Sequence, residues 1–405
     1  MKKSILFVDD EANVLSGLQR MLRSQREEWD CEFADSGPAA LALFAERGGF
    51  DVIVTDMRMP GMNGAQLLEQ VKLASPRTVR LVLSGQSDQE LTMKAVGPAH
   101  QFLSKPCDAE TLVNVIRRAC ALRERLAPGG LANLVSQLDR LPSMPGIYRR
   151  LVHELQSPDV GVAEVGRIIA EDPAMTSKIL QLVNSSFFCF QQSITDPVQA
   201  TMILGINTIK ALVLSVHVFG QLAADVPEEL HISAMQSHSL VTGNFARAIV
   251  LFERGGKVMG DEAFVAGLLH DIGRLAIAAN LPDTYRQAIL LSQREGATLH
   301  DTEQAVFGAT HAEVGAYLLG LWGLPETTVE AVAFHHAPAA SPVRTFGPLA
   351  AVHAANIIDR ERAARRTNRT PPLADLAWLG RLGVDRHIEQ WRAACGEIAN
   401  NEVPA

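Results

Sequence analysis

The sequence predicts an α/β domain followed by an all-α domain, and three observations carry that prediction. Short β-branched runs alternate with amphipathic stretches from residue 4 to about residue 125. Beyond residue 140 long helical patterns dominate without clear alternating strands, and the two textures part at Pro128-Gly129-Gly130. At 405 residues the chain also exceeds one ordinary core, given about 100 to 200 residues per domain. The expected organisation is a first domain over residues 1–125, a helical linker over 126–140 and a second domain over 141–400.

In the first half the strand candidates are SILFV, CEFA, DVIVT, RLVLS and QFLS. Between them VLSGLQRMLRS, AALALFAE, GAQLLEQVKLA and QELTMKAV carry helical spacing. Five such βα units imply a doubly wound, parallel five-stranded sheet, whose site forms where loops converge at the carboxyl ends of the strands. A last helix, Asp108 to Leu126, shows Leu112, Val115, Ile116, Ala119, Leu122 and Leu126 at three- and four-residue steps. Apolar spacing resumes at Leu131, Leu134, Val135 and Leu138, which predicts a second short helix in the linker. In the second half VGVAEVGRIIAED, AMTSKILQLVNSS, PVQATMILG and INTIKALVLSVHVFGQLA each read as helix, closed by proline, glycine or a polar cluster. The aromatics of NSSFF, Asn184 to Phe188, are expected in the core rather than on a docking surface.

Composition narrows the function classes. Hydrophobic residues make up 47% and charged residues 20%, and no apolar run approaches the ~20 residues of a membrane span. In MKKSILFVDDE, Asp9, Asp10 and Glu11 interrupt the apolar stretch too early for a signal peptide, so the expected location is cytoplasmic, with no membrane partner. Five singly spaced cysteines argue against a disulfide framework or zinc ribbon. A net charge of −8, with no basic stripe and no recognisable helix-turn-helix segment, argues against direct DNA binding. Arg362, Arg365, Arg366 and Arg369 form a local basic exception, expected to be a solvated linker loop.

The strand ends of the first half carry the chemistry. Asp9 and Asp10 end the first strand, Asp56 the third, Ser84 the fourth and Lys105 the fifth. Three crowded carboxylates repel one another, and a hard divalent cation such as Mg²⁺ relieves that repulsion. With the metal present one carboxylate acts as a nucleophile toward phosphorus, while a lysine neutralises the phosphoryl oxygens. This assigns Asp56 as acceptor, Asp9 and Asp10 to Mg²⁺, Lys105 as counter-charge and Ser84 as the hydroxyl that senses the arriving group.

FVDDE, IVTDMRMPGMNG, LVLSG and FLSKP, in this order over residues 1 to 125, resemble the response-regulator receiver domain. The resemblance implies that Asp56 accepts a phosphoryl group from a sensor histidine kinase and that the backbone carbonyl of Arg58 completes the Mg²⁺ ligands. It also implies that Ser84 and Phe102 are the positions that rearrange. Arg58 and Gln86 flank the site, where they bear on the lifetime of the phosphoryl group.

The second half holds His238, the pair His270-Asp271 in GLLHDIGR, His311, the pair His335-His336, and His353. Histidines and an aspartate from separate helices suit a transition-metal centre, which polarises a phosphate and lowers the pKa of bound water. Adjacent helical residues diverge by about 100°, so His270 and Asp271 share a metal only at an irregular turn. The alternative for each histidine is a buried ring hydrogen-bonded to helix backbone.

DRLPSMPGIYRRL, IIAEDPAMTSKILQLVNSSFF, ATMILGINTIKAL, GLLHDIGRLAI, FGATHAEVGAYLLGLWGLPETTVEAVAFHHAP and AVHAAN resemble the HDOD domain over about residues 131 to 400. Its HD-GYP relatives hydrolyse cyclic di-GMP at a two- or three-metal site, whereas many HDOD proteins are regarded as non-catalytic signalling or protein-interaction modules. The resemblance places His238, His270, Asp271, His311, His335 and His336 at ligand positions, with iron or manganese as the expected ion. Arg274 stands where active relatives carry lysine, Asn356 where they carry a ligating aspartate, and Ala234 where they carry a glutamate. The GYP segment is absent from AFHHAPAASP. The leading expectation is thus a two-component response regulator whose helical output acts by binding. Its rival is a metal-dependent phosphodiesterase acting on cyclic di-GMP or another nucleotide. Expected partners are a sensor histidine kinase and a downstream signalling protein, with a homodimer as a further candidate.

Overall fold

The strand β1 (Lys3–Val8) buries Ile5, Leu6 and Phe7 completely, and β3 (Val52–Asp56) is buried along its whole length. Near-continuous apolar runs of this kind belong to central parallel strands covered on both faces. The structure, a computed structural model, describes residues 2–75, 78–84, 101–105, 107–125, 130–138, 146–155, 161–185, 188, 194–222, 226–367 and 374–400. The chain divides into two units, the first comprising Met1–Arg149 and Gly320–Gly323 and the second Arg150–Leu319 and Leu324–Ala405.

In the first unit β1 and β3 are joined by β2 (Trp29–Ala34), β4 (Val79–Ser84) and β5 (Gln101–Ser104) in a parallel sheet of order β2-β1-β3-β4-β5. All five predicted strands are present. The register pairs Val8 with Thr55, Asp56 with Leu83 and Ser84 with Ser104, so the carboxyl ends share one edge. Strand order reverses between β1 and β3, and the crevice of a doubly wound sheet opens at such a reversal. Leu6, Val8 and Ile53 pack with Phe44 of helix Gly37–Arg47 and with Leu67, Leu68 and Val71 of helix Gly64–Ala74. Each such fully buried side chain contributes about 1.5–3 kcal/mol.

Helix Gly64–Ala74 starts in a capping box. Asn63 Oδ1 accepts the Gln66 N–H at 2.9 Å and Gln66 Oε1 accepts the Asn63 N–H at 3.1 Å. Gly64 is required there, because a Cβ would lie 2.2 Å from the Asp56 carbonyl oxygen. Helix Ala109–Arg125 buries Leu112, Ile116 and Cys120 at four-residue steps, and the predicted linker helix occurs as Gly130–Gln137. The predicted helix QELTMKAV lies outside the described residues.

The second unit is helical among its described residues. The predicted helices appear as Val162–Ala170, Pro173–Val183, Pro197–Leu204 and Ile206–Leu222. Asp172 and Asp196 cap the second and third by accepting backbone N–H groups. Of the NSSFF aromatics Phe187 lies outside the described residues, and Phe188 is half-buried with its ring 6.1 Å from that of Phe264. Helix Ile232–Phe252 then packs against Gly256–Leu269, and Pro348–Thr367 packs on both and on Glu326–Phe334. The basic segment is corrected by this arrangement: Arg362 and Arg365 lie within helix Pro348–Thr367 rather than in a loop. Arg362 sits 5.3 Å over the Phe245 ring, because its long apolar stem covers the neighbouring helix. Arg369 lies outside the described residues.

Candidate functional site

Two sites emerge, one in each unit. At the carboxyl edge of the sheet, Asp9 follows β1 and is 1% exposed, while Asp56 closes β3 and is 6% exposed. Lys105 follows β5 and reaches both: its Nζ donates to Asp9 Oδ2 at 2.8 Å and to Asp56 Oδ1. The remaining carboxylate oxygens are also held. The Glu11 N–H donates to Asp9 Oδ1 at 3.0 Å and the Arg58 N–H donates to Asp56 Oδ2 at 2.6 Å. Burial raises the Asp56 carboxyl above its ordinary pKa against the opposing pull of Lys105. Burial disfavours the Lys105 ammonium, yet its bonds to Asp56 and Asp9 raise its pKa overall.

Asp10 is exposed beside Asp9. Ser84 ends β4, and Phe102 pairs with Val82 in β5; the side chains of both lie outside the described residues, as does Gln86. The donor chemistry fits Mg²⁺, since Asp9 and Asp56 already converge on one cationic nitrogen and Asp10, exposed, is the next residue of the chain after Asp9.

In the helical unit the polypeptide solves the problem posed by His270 and Asp271. Helix Gly256–Leu269 stops just before the pair, and helix Ile272–Asn280 starts just after it, with Asp271 at φ −95° and ψ 7°. The two side chains meet at this turn, with His270 Nε2 3.5 Å from Asp271 Oδ1. Gly273 seats the turn on helix His311–Leu321: a Cβ there would lie 2.0 Å from the His311 carbonyl oxygen. That close approach brings His311 Nε2 within 3.2 Å of Asp271 Oδ1, and His335 Nε2 lies 3.9 Å from the same oxygen.

All six residues singled out in the sequence come together. Asp271, His311, His335 and His336 form one group able to hold a metal ion, and His238, His270 and Asp271 form an overlapping one. The rings are oriented by their outer nitrogens. His270 Nδ1–H donates to the Gly267 carbonyl and His335 Nδ1–H to the Val332 carbonyl, both at 2.7 Å, which turns each Nε2 lone pair inward. His270 Nε2 and His335 Nε2 are buried without a hydrogen-bond partner, and both face Asp271 Oδ1, which His311 Nε2 also approaches. Two orphaned imidazole nitrogens converging with a carboxylate oxygen in the buried interior are costly unless a cation joins them, so the set fits a transition metal.

Burial holds His270 down at about 3 and, with neighbouring imidazoles, keeps His335 and His336 well below the ordinary histidine range. These rings are neutral, as ligation requires. Burial also opposes charge on Asp271, yet His270, Arg274 and His311 hold its carboxyl well below the usual range.

Several contributors escaped the sequence reading. Glu303 accepts from His311 Nδ1 at 2.5 Å and from the His311 backbone N–H at 2.8 Å, while Tyr285 donates its hydroxyl to the other Glu303 oxygen at 2.8 Å. Burial alone would lower the His311 pKa, but Glu303 and Asp271 on either side raise it to about 9. Asp359 lies 2.6 Å from His238 Nδ1, and Asn356 Oδ1 lies 3.1 Å from His238 Nε2. Arg360 donates its Nε–H to Asn356 Oδ1 at 2.7 Å. Helical spacing from Asn356 was the available signal for the last two; Glu303 and Tyr285 carried none.

His353 is different. Its Nδ1–H donates to the His335 carbonyl at 2.8 Å and its Nε2 accepts the Asp375 N–H at 3.0 Å, so both nitrogens are spent on backbone. Arg274 is likewise committed, to Asp271 Oδ2 at 2.9 Å and to the Tyr285 hydroxyl at 3.4 Å.

Comparison with known proteins follows the same division. The response regulator receiver domain family matches residues 5–117, and the HDOD domain family matches residues 141–338. An uncharacterized protein of Treponema pallidum (strain Nichols) is 25% identical over 210 residues, covering 51% of this chain and 39% of that protein. The sensory transduction protein RegX3 of Mycobacterium tuberculosis is 32% identical over 114 residues, covering 28% of this chain and 49% of its own length. The chain thus spans less than half the length of these curated relatives. Among solved structures, an HDOD domain protein of unknown function from Geobacter sulfurreducens aligns with a TM-score of 0.51 and 25% identity, covering 72% of this chain and 99% of that one. Among the described residues no helix is long and apolar enough to cross a membrane. The chain therefore joins an N-terminal response regulator receiver domain to a C-terminal HDOD domain.

Proposed function

We propose that this protein is a two-component response regulator in which Asp56 accepts a phosphoryl group from a sensor histidine kinase and switches an HDOD output that acts by binding a downstream signalling protein. The observation that carries the reading is the Lys105 ammonium shared by Asp9 and Asp56 at the switch point of the sheet. Asp9, Asp10, Asp56 and the Arg58 carbonyl are the residues to hold Mg²⁺, which when bound neutralises phosphoryl oxygens. Lys105 then holds a second side of the group, and the Arg58 N–H keeps the Asp56 carboxylate oriented.

Phosphorylation adds about 1.5 to 2 negative charges beside Lys105, a local electrostatic change that biases a two-state surface. Helix Ala109–Arg125 and helix Gly130–Gln137 supply the covalent connection between switch and output. Incubation with acetyl phosphate and Mg²⁺ should give a phosphoprotein resolved by phosphate-affinity electrophoresis, and Asp56→Asn should abolish it. A phosphorylated Asp56→Asn protein would overturn the assignment.

For the helical unit the same reading assigns a metal centre to His238, His270, Asp271, His311, His335 and His336, with iron or manganese bound. A metal there supplies Lewis acidity toward a phosphate or water. The converging orphan atoms favour metal binding, and the commitment of Arg274 to Asp271 and Tyr285 favours a binding output over the phosphodiesterase alternative. Turnover of cyclic di-GMP by the metal-loaded protein, lost in Asp271→Ala, would decide for the enzyme.

A further inference from the structure

The two sides of the Asp271 carboxylate face different partners. Oδ1 faces three imidazole nitrogens, His311 Nε2 at 3.2 Å, His270 Nε2 at 3.5 Å and His335 Nε2 at 3.9 Å. Oδ2 faces two guanidinium groups, Arg274 at 2.9 Å and Arg360 at 3.8 Å. A carboxylate that joins two metal ions usually gives one oxygen to each, and here the second oxygen is already neutralised.

Arg360 reinforces this on the His238 side. Its Nε–H donates to Asn356 Oδ1, the oxygen that also faces His238 Nε2. The amide at 356 is neutral, whereas a second dication beside two fixed guanidiniums would need added negative charge. Of the neighbouring carboxylates, Asp359 is turned to His238 Nδ1 and Arg362, and Glu303 to His311 Nδ1 and Tyr285, instead.

Resting on the metal-centre reading, we propose that the site holds a single transition-metal ion at Asp271 Oδ1, and that Arg274 and Arg360 occupy the electrostatic place of a second. Arg360 and Asn356 are then the residues that set the metal count. They hold the centre at one ion, a state suited to a fixed structural or sensing role.

The test uses the full chain, stripped with chelator and reloaded with Mn²⁺ under excess Mg²⁺, which occupies the oxygen-only carboxylates of the receiver. After desalting, elemental analysis should find one equivalent of manganese per chain, and electron paramagnetic resonance should show an uncoupled hyperfine sextet. Two equivalents with an exchange-coupled spectrum would overturn the single-ion proposal and leave the metal-centre reading standing. No retained manganese would overturn both. The double variant Asn356→Asp/Arg360→Leu should take up a second equivalent and show coupling. If it folds and stays at one, the arginine does not set the count; the wild-type measurement decides the number of ions whether or not the variant folds.

Discussion

Glu303 Oε2 accepts both the ring Nδ1–H and the backbone N–H of His311, at 2.5 and 2.8 Å, so one buried carboxylate fixes the His311 ring and the start of its helix. Partners of this kind orient a metal-binding histidine and raise its basicity. Glu303→Gln is therefore expected to weaken Mn²⁺ or Fe²⁺ binding about 10- to 100-fold. Isothermal titration calorimetry checks this; an unchanged affinity would count against the role of Glu303.

The same pair predicts a pH dependence. The folded His311 pKa of about 9 lies above the ordinary 6.5. A raised pKa means the folded state binds its proton more tightly than the unfolded chain. The stability it contributes is complete below about 6.5 and is lost as pH rises through about 9. Urea midpoints of the metal-free protein should fall over this interval, and the fall should be shallower in Glu303→Gln. Metal uptake displaces the His311 Nε2 proton, so apparent affinity should rise with pH over the same range.

Gly273→Ala places a Cβ 2.0 Å from the His311 carbonyl, a backbone atom that cannot move aside as a flexible side chain would. Overpacking of this kind costs about 1–3 kcal/mol, occasionally more. Thermal denaturation should show that loss together with weakened metal retention, because the turn and the His311 helix must separate.

Lys105→Met leaves Asp9 and Asp56 facing one another without their shared cation. A loss of about 1.5–3 kcal/mol is expected at neutral pH, the scale of hydrogen bonds to charged groups. The deficit against wild type should narrow in acid, since the Asp56 carboxyl is already raised by burial and protonates more readily without Lys105. Chemical denaturation at neutral and acidic pH checks both the size and the trend.

His353→Gln separates a backbone-bound histidine from the proposed metal-site histidines. The variant loses the pair of bonds to the His335 carbonyl and the Asp375 N–H, an expected cost of about 1–2 kcal/mol. Manganese stoichiometry should be unchanged, because neither His353 nitrogen faces Asp271. A variant that folds but retains no metal would add His353 to the residues the metal depends on.

Much of the molecule is legible before folding is considered. FVDDE, the aspartate closing DVIVT and the lysine of FLSKP are read from strand ends because side chains at the carboxyl edge of a parallel sheet converge by topology alone. Lys105, Asp9 and Asp56 meet accordingly. The six histidine and aspartate residues of the helical unit were nameable as a set, though helical geometry alone left His270 and Asp271 about 100° apart.

The sequence by itself determined both fold classes, the five strands and the residue types of each site, because periodicity and strand ends are local properties of the chain. Only the tertiary structure decided how the histidines are used. It broke the helix at His270-Asp271, set Glu303 behind His311, spent His353 on backbone and closed Arg274 and Arg360 on one side of Asp271. The reason is sequence distance: the partners of His238, for example, lie 118 and 121 residues away, and no local pattern encodes which helix face will meet them.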